Sequence, residues 1–351
     1  MSVLDLARPE IRAMQPYSSA RMEASGGQIL LNANESPWLA PGDDGLGCNR
    51  YPDPQPAALI DALASLYSVQ REQLLVGRGS DEAIDLLVRA FCRAGEDAIL
   101  IQPPTFGMYA VCARVQNAAV IEVALAADFT LDVDAVLAAL TPAVKLVFIC
   151  SPNNPTGQMV PRAAVERLVQ ALAGRALLVV DEAYVEFAEA GSVVDLIGRY
   201  DNLAILRTLS KAWALAGARV GSLLAHADVI ALLRRIMPPY PLPLPCVAAA
   251  LAALSAPSVA AEHVALIDEQ RGVMRAALAQ VVGVREVLPS QANFLAVRFD
   301  DAGAAYQRLL AAGVVVRDVR RYPNLGDALR ITIGTPEENA RVLAILQGGA
   351  A

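Results

Sequence analysis

The sequence predicts an α/β protein with a large domain, built on a mostly parallel sheet covered by helices, and a smaller α+β domain. Apolar runs of strand length recur at residues 98–101, 120–123, 146–150, 177–180 and 203–206. Amphipathic helical segments alternate with these runs. A proline-rich stretch, residues 238–245, is followed by a different pattern. Unbroken apolar strands between amphipathic helices are typical of a parallel sheet that is buried on both faces.

The predicted helices carry one apolar stripe each. In residues 81–91, Ile84, Leu87, Val88 and Phe91 fall at positions i, i+3, i+4 and i+7, and residues 162–173 repeat this spacing. After the proline-rich stretch, strands are predicted at 294–299, 314–317 and 329–333, with helices near 302–312 and 336–347.

The same patterns predict three regions along the chain. Residues 1–45 lack periodicity and are predicted to form an arm that contributes to the small domain and to dimer contacts. Residues 46–250 are predicted to form the large domain, and residues 251–351 the small C-terminal α+β domain.

Composition excludes several classes of function. The 351 residues are 55% hydrophobic and 19% charged, which is typical of a well-buried globular protein. The net charge of −7 argues against nucleic acid or an anionic membrane as a partner. Five scattered cysteines and two histidines argue against a metal site, so none is predicted. Because the N-terminus has no apolar run, no signal peptide is expected, and we predict a cytoplasmic protein.

Polar side chains follow three of the predicted strands. Asn154 comes after the run at 146–150, Asp181 and Tyr184 after 177–180, and Lys211 after 203–206. In doubly wound sheets, ligands bind in the crevice at the carboxyl ends of the strands. We therefore expect these side chains to meet in one site.

The glycine-containing segment 77–81 (GRGSD) precedes the first amphipathic helix, with Ser80 as the expected N-cap. Free amide groups at a helix N-terminus bind anions, although an ordinary capped helix has the same pattern. Arg219 is a second cation suited to a phosphate, and Thr208 and Ser210 add hydroxyl groups. These residues together predict a phosphate site.

The remaining polar residues suit an aromatic ring. A carboxylate at the end of a buried strand needs a partner, and for Asp181 this is a pyridinium nitrogen, a helix N-terminus or a salt bridge. Tyr184 and the Asn154 amide suit a phenolate oxygen, although Asn154 also lies in a turn-forming segment. Lys211 stands in an apolar setting that lowers the pKa of a lysine and releases a nucleophilic amine.

Residues 151–157 (SPNNPTG), 181–184 (DEAY) and 208–219 (TLSKAWALAGAR) resemble the aspartate-aminotransferase fold family of pyridoxal-phosphate enzymes, which have the fold of type I transferases. The order and spacing agree over roughly residues 28–340. The resemblance implies pyridoxal 5′-phosphate as cofactor, with Lys211 as the Schiff-base lysine. It implies catalytic roles for Lys211, Asp181 and Tyr184, and cofactor contacts from Ser80, Asp81, Phe106, Asn154, Asp181, Tyr184, Thr208, Ser210, Lys211 and Arg219.

Further segments narrow the resemblance. Residues 31–35 (LNANE), 50–55 (RYPDPQ), 183–187 (AYVEF) and 239–243 (PYPLP) are similar to the histidinol-phosphate aminotransferases of histidine biosynthesis. This similarity implies amino transfer between L-histidinol phosphate and 2-oxoglutarate or glutamate. It implies substrate contacts from Arg330 (carboxylate and phosphate), Arg317 and Tyr17 (phosphate) and Asn32. It also implies a homodimer in which Tyr51 contacts the cofactor phosphate of the partner subunit.

Other functions stay open on the sequence. An aromatic amino-acid aminotransferase and a pyridoxal-phosphate decarboxylase of threonine phosphate share these motifs. A non-enzymatic ligand-binding protein on the same fold is a third alternative, but it would typically have lost Lys211. Two departures, Ser80 for the usual Ala and Ala218 for the usual Leu, remove no functional group.

Overall fold

A computed structural model describes residues 2–17 and 29–348 of the chain. It contains a seven-stranded sheet and, later in the chain, a four-stranded sheet. The strands of the larger sheet are β1 (Leu74–Gly77), β2 (Ala98–Ile101), β3 (Ala119–Glu122), β4 (Val144–Cys150), β5 (Leu177–Asp181), β6 (Leu203–Thr208) and β7 (Gly221–Ala225). The α-helices of the described residues are α1 (Pro9–Ala13), α2 (Ala57–Tyr67), α3 (Ser80–Phe91), α4 (Met108–Val115), α5 (Val133–Ala138), α6 (Arg162–Ala171), α7 (Ala227–Arg234), α8 (Leu244–Leu254), α9 (Pro257–Leu278), α10 (Ala302–Ala311) and α11 (Pro336–Leu346).

The larger sheet is mostly parallel, as predicted. Its strand order is β1-β7-β6-β5-β4-β2-β3, and only β7 runs antiparallel to its neighbours. The five predicted strands correspond to β2 through β6. The edge strand β1 and its neighbour β7 were not predicted. β7 opens with Gly221 and Ser222, which interrupt the apolar pattern.

Alternation along β5 explains why its sequence is uniformly apolar. Leu178 and Val180 pack into the hydrophobic core on one face of the sheet, and Leu177 and Val179 pack into the core on the other face. Successive side chains of a strand point to opposite faces, so both sets must be apolar when helices cover both faces. The strand therefore ends deep in the protein, and Asp181 is its last residue.

The smaller sheet is antiparallel and has the order β10-β11-β9-β8. Its strands are β8 (Val284–Val287), β9 (Phe294–Phe299), β10 (Arg317–Asp318) and β11 (Ala328–Thr332). The predicted strand at 314–317 was wrong in extent, because only Arg317 of that run pairs with β11. Val314 and Val316 are partly buried against the core of this sheet, so their apolar character reflects packing and not strand pairing.

Helices α8 and α9 connect the two sheets and meet at an angle of 77°. The predicted boundary at residues 250 and 251 falls inside α8, whose Val247 and Ala250 pack into the core of the larger sheet. Within residues 2–17 and 29–348, no single helix is long and apolar enough to cross a membrane, although α8 and α9 pass that test as a bent pair.

The first residues of the N-terminal arm pack against the larger sheet and not, as was predicted for the arm, against the small domain. Val3, Leu6 and Ile11 are buried in the same core cluster as residues of α3 and α7, which cover the larger sheet. The Arg8 N–H also donates to the Ala90 carbonyl at 3.0 Å. These residues therefore contact the large domain and not the small one, and residues 18–28 of the predicted arm lie outside the described residues.

A buried ion network lies next to the end of β5. The Arg207 guanidinium on β6 donates to Glu182 Oε2 at 3.4 Å and to Glu186 Oε1 at 2.8 Å. It also lies over the Tyr67 ring, 4.7 Å from the centroid. Because Glu182 follows Asp181 directly, this network fixes the backbone immediately after the strand that carries the buried aspartate.

Replacing Arg207 should therefore unfold the protein at lower denaturant. We expect Arg207→Met to cost about 3–5 kcal/mol, because it leaves the buried Glu182 carboxylate and the partly buried Glu186 carboxylate without their cation. Arg162→Met, the same change at the exposed pair with Asp195, should cost less than about 1 kcal/mol. Urea unfolding followed by circular dichroism measures both, and equal midpoints for the two variants would contradict a stabilising role of the network.

Candidate active site

The predicted polar residues meet in one cleft of about 100 Å³ at the carboxyl ends of β4, β5 and β6. The cleft is lined by all predicted cofactor-contacting residues except Tyr51, together with Cys150 and Ala183, which were not predicted: Ser80, Asp81, Phe106, Cys150, Asn154, Asp181, Ala183, Tyr184, Thr208, Ser210, Lys211 and Arg219. Wider surface grooves lie around Tyr51 and around Tyr17, but neither is lined by Lys211 or Asp181.

One end of the cleft is the N-terminus of α3. The helix begins at Ser80, so Gly79 is its N-cap and not the predicted Ser80. Gly79 has a φ of +83°, a conformation that favours glycine. A Cβ at Gly79 would lie 2.6 Å from Arg219 Nη2, and a Cβ at Gly221 would lie 2.5 Å from the Ser80 nitrogen. The two glycines thus let the Arg219 guanidinium and the backbone of β7 approach the helix terminus closely.

Hydroxyl groups extend this end of the cleft. The Thr208 hydroxyl donates to Ser210 Oγ at 3.0 Å, and Arg219 Nη1 donates to the same oxygen at 3.4 Å. Arg219 Nη2 also contacts Asp81 Oδ2 at 3.3 Å. Helix amide groups, a guanidinium and two hydroxyls in one place form a site for a phosphate-sized anion.

The floor of the cleft is the Asp181 carboxylate. Its Oδ1 accepts a hydrogen bond from the Ala183 N–H at 3.1 Å, and its Oδ2 accepts one from the Tyr109 hydroxyl at 2.7 Å. Burial raises the pKa of Asp181 to about 6, while these two hydrogen bonds and the nearby Lys211 lower it. A cationic nitrogen placed against this carboxylate would replace the water that burial has removed.

Tyr109 was missed in the sequence. It lies in α4, three residues after Phe106, and its ring stacks on Phe148 at a centroid distance of 4.8 Å. The only signal in the sequence was that residue 109 is a tyrosine, because a buried tyrosine hydroxyl needs a hydrogen-bond partner. The partner, 72 residues away in the sequence, was not predictable from that signal.

A line of polar side chains crosses the upper wall. Arg330 Nη1 of β11 donates to Asn154 Oδ1 at 2.5 Å, and Asn154 Nδ2 contacts the Tyr184 hydroxyl at 3.2 Å. The Arg330 guanidinium lies over the Phe294 ring, 5.1 Å from the centroid. The small sheet therefore contacts Asn154, a residue that lines this cleft.

The Lys211 amine points over the Tyr184 ring, with Nζ 5.6 Å from the centroid. Partial burial lowers the pKa of Lys211, and the cations Arg330 and Arg219 lower it further, against the smaller opposing effects of Asp81 and Asp181. A larger fraction of this amine is therefore neutral and nucleophilic at neutral pH than for an exposed lysine.

Arg317 stands directly opposite Arg330 in the β10–β11 register, so both occupy the same face of the small sheet. Directly opposed like charges are destabilising in an antiparallel pair. A bound dianion would remove this repulsion, and this favours the predicted anion site at the two arginines.

Five predicted site residues do not line the cleft within one chain: Arg330, Arg317, Tyr17, Asn32 and Tyr51. Arg330 contacts the cleft residue Asn154, and Arg317, opposite Arg330 in the small sheet, is exposed. Tyr17 is 66% exposed in a separate groove. Arg235, the residue after α7, donates to the Met14 carbonyl of the preceding segment at 3.2 Å. Asn32 is exposed and does not line the cleft. Tyr51 is 47% exposed and stacks on Tyr240 at a centroid distance of 4.4 Å. Their roles stay predictions.

A model of the family aminotransferase class I and II matches residues 31–346 of this chain. A histidinol-phosphate aminotransferase from Xanthomonas euvesicatoria pv. vesicatoria (strain 85-10) is 58% identical over 352 residues, which cover 99% of this chain and 97% of the relative.

Two solved structures are similar to this fold. The histidinol-phosphate aminotransferase from Sinorhizobium meliloti, solved in complex with pyridoxal-5′-phosphate, has a TM-score of 0.78 at 28% identity, covering 85% of this chain and 82% of that chain. The enzyme of the same name from Clostridium acetobutylicum has a TM-score of 0.79 at 23% identity, covering 86% and 90%, and shows likeness of fold. Since the family match and the Xanthomonas relative both extend over most of the chain, the chain belongs to the aminotransferase class I and II family, among the histidinol-phosphate aminotransferases.

Proposed function

We propose that this aminotransferase transfers an amino group between L-histidinol phosphate and 2-oxoglutarate, with pyridoxal 5′-phosphate as its cofactor. The observation that carries the proposal is the placement of Lys211 in one cleft between the anion site at α3 and the buried Asp181 carboxylate. The identity of 58% to a histidinol-phosphate aminotransferase supports the choice of substrate.

The residues present fit this cofactor. The backbone cradle left by Gly79 and Gly221, with Arg219, Ser210 and Thr208, suits its phosphate. Asp181 suits its ring nitrogen, and Asn154 and Tyr184 suit its phenolic oxygen. Phe106 lines the same cleft and suits a ring face. When bound, pyridoxal phosphate supplies a carbonyl that condenses with amines and a ring that accepts electrons from the substrate Cα.

The protein residues then divide the remaining work. Asp181 holds a proton on the opposing nitrogen by hydrogen bonding to the cation. Lys211 would hold the cofactor between turnovers, and its free Nζ would accept the proton from the substrate Cα as a general base. Histidinol phosphate leaves as the ketone imidazole-acetol phosphate, and 2-oxoglutarate takes up the amino group and leaves as glutamate.

The two arginines of the small sheet are placed to hold the far end of each substrate. A planar guanidinium binds a carboxylate or a phosphate with two parallel hydrogen bonds. Arg330, which already contacts Asn154, suits the 2-oxoglutarate carboxylate, and Arg317 beside it suits the phosphate of histidinol phosphate. One anion site thus serves both halves of the reaction.

We also propose a homodimer. Tyr51 is exposed, stacks on Tyr240 and lies outside the Lys211 cleft of its own chain. This outward placement supports the expectation that Tyr51 contacts the cofactor phosphate of a second copy.

The visible absorption spectrum tests the proposed reaction. We expect the purified protein to have a band from a lysine-bound cofactor, to lose it when L-histidinol phosphate is added without a keto acid, and to regain it with 2-oxoglutarate. A band that histidinol phosphate leaves unchanged would overturn the substrate and direct attention to phenylalanine, tyrosine and threonine phosphate. No band after adding pyridoxal phosphate would overturn the cofactor.

The chain offers a matched control for this experiment, since Lys145 and Lys211 are its only two lysines. Lys211→Ala should abolish turnover and the lysine-bound band. Lys145→Ala should keep both, because Lys145 pairs with Asp97 at 3.7 Å, away from the cleft. Robust turnover by Lys211→Ala would sink the assignment of that lysine.

The lowered pKa of Lys211 predicts its reactivity toward acylation. Only neutral amines react, so in the cofactor-free chain Lys211 should be acetylated by acetic anhydride at pH 7 faster than an amine with an ordinary pKa. Arg330→Gln removes a cation that lowers the Lys211 pKa, so labelling at pH 7 should fall, about tenfold for each pH unit by which the pKa rises. Mass spectrometry measures the label, with Lys145 as internal reference. An unchanged Lys211 rate would show that Arg330 does not act on this amine.

Arg317 should determine the preference for a phosphorylated substrate. We expect Arg317→Ala to reduce the ratio of kcat/KM for histidinol phosphate to that for histidinol by about 10- to 100-fold, because a charge-assisted hydrogen bond is lost. Arg320→Ala, at an exposed arginine that pairs with Asp318, is the control and should leave the ratio unchanged. Steady-state kinetics with both amines measures it, and equal ratios in the two variants would rule out phosphate binding by Arg317.

A further inference from the structure

Tyr109 contacts the central carboxylate, but the residue roles given above for amino transfer do not include it. Its side chain is fully buried, at 0% exposure, and its hydroxyl donates to Asp181 Oδ2 at 2.7 Å. The other carboxylate oxygen is held by the Ala183 N–H at 3.1 Å. Among the described residues, the Tyr109 hydroxyl is thus the one side-chain group that donates a hydrogen bond to Asp181.

Packing fixes the position of this hydroxyl. The Tyr109 ring stacks on Phe148 at 4.8 Å with an interplanar angle of 12°, and meets the Phe106 ring edge-on at 5.6 Å and 83°. Phe148 lies in β4, which pairs with the end of β5, where Cys150 stands opposite Asp181. Donor and acceptor are therefore held by two neighbouring strands and an aromatic stack, so neither is free to turn away.

The other groups that face Asp181 do not supply a donor of this kind. Its charged and titratable neighbours come from α3, α4, β4 and the segments after β5 and β6: Asp81, Tyr109, Cys150, Tyr184 and Lys211. Burial and the Asp81 charge raise the pKa of Asp181, and the hydrogen bond from Tyr109 is the largest effect that lowers it. A donor to the ionised form favours that form.

We propose that Tyr109 is a positioning residue for the amino transfer: its hydroxyl keeps the Asp181 carboxylate ionised and directed into the cleft. The inference rests on the proposed function for the group that Asp181 meets, a protonated ring nitrogen. The contact between Tyr109 and Asp181 does not depend on that function. Phe106, which lines the cleft, is braced by the same tyrosine ring.

Tyr109→Phe tests the proposal because it removes the hydroxyl and keeps the aromatic stack. In the full-length chain without added cofactor, ¹³C carboxyl NMR gives the pKa of Asp181, with the signal assigned from the Asp181→Asn variant. We expect this pKa to rise by about one to two pH units in Tyr109→Phe. Tyr67→Phe removes another buried tyrosine hydroxyl that does not contact Asp181, and should leave the value unchanged. An unchanged pKa in Tyr109→Phe would overturn the proposal.

Cofactor affinity gives a second readout through a double-mutant cycle. Tyr109→Phe should weaken the binding of pyridoxal 5′-phosphate several-fold in the wild-type background and have no further effect in the Asp181→Asn background. An equal loss in both backgrounds would mean that the hydroxyl acts independently of Asp181 and would overturn the proposal.

If Tyr109→Phe does not fold, a measurement on the unmutated chain tests the same hydrogen bond. The ¹³Cζ signal of Tyr109 should shift with the titration of Asp181, and a signal that ignores this titration would overturn the proposal. The carboxyl and tyrosine titrations need neither cofactor nor substrate. A chain that passes them but does not act on histidinol phosphate would therefore overturn the proposed function alone.

Discussion

The cleft depends on keeping one carboxylate charged where water cannot reach it. Asp181 ends a strand that is apolar on both faces, and burial alone drives its carboxyl toward the neutral form. The fold opposes this with a backbone N–H from Ala183, the Tyr109 hydroxyl and the positive charge of Lys211. Each comes from a different segment, so the position of the carboxylate ties helix α4, strand β5 and the loop after β6 to one geometry.

The anion end of the cleft depends on two glycines, which have no side chains. Gly79 and Gly221 leave room for a helix terminus, a neighbouring strand and a guanidinium to meet without an intervening Cβ. Arg219 itself adopts a left-handed conformation, with φ of +55°, and this turns its side chain back toward Ser210. Backbone amide groups and Arg219 thus act on the same volume, which neither element reaches alone.

The small sheet contacts two residues that line the cleft, Asn154 and Tyr184. Arg330 reaches Asn154 of the large domain, and the Phe294 ring beside it meets the Tyr184 ring edge-on at 5.2 Å. Arg271 of α9 donates one hydrogen bond to the Phe187 carbonyl at 3.3 Å, three residues after Tyr184. A substrate anion bound at Arg330, as proposed, would be held next to the residues that face the proposed cofactor, Asn154 and Tyr184.

The sequence by itself determined the parallel strands, since a strand buried on both faces must be apolar at every position, and it determined that Asn154, Asp181 and Lys211 lie together, since parallel strands end at one edge. Only the tertiary structure decided the antiparallel direction of β7, the packing of the N-terminal residues on the larger sheet, and the hydrogen bond from Tyr109 to Asp181. Periodicity reports the environment of neighbours along the chain. The hydrogen bond between Tyr109 and Asp181, 72 residues apart, is created by packing and leaves no pattern in the local sequence. For the same reason, a phosphate contact from Tyr17 was predicted only by resemblance, and within one chain Tyr17 lies in a separate groove.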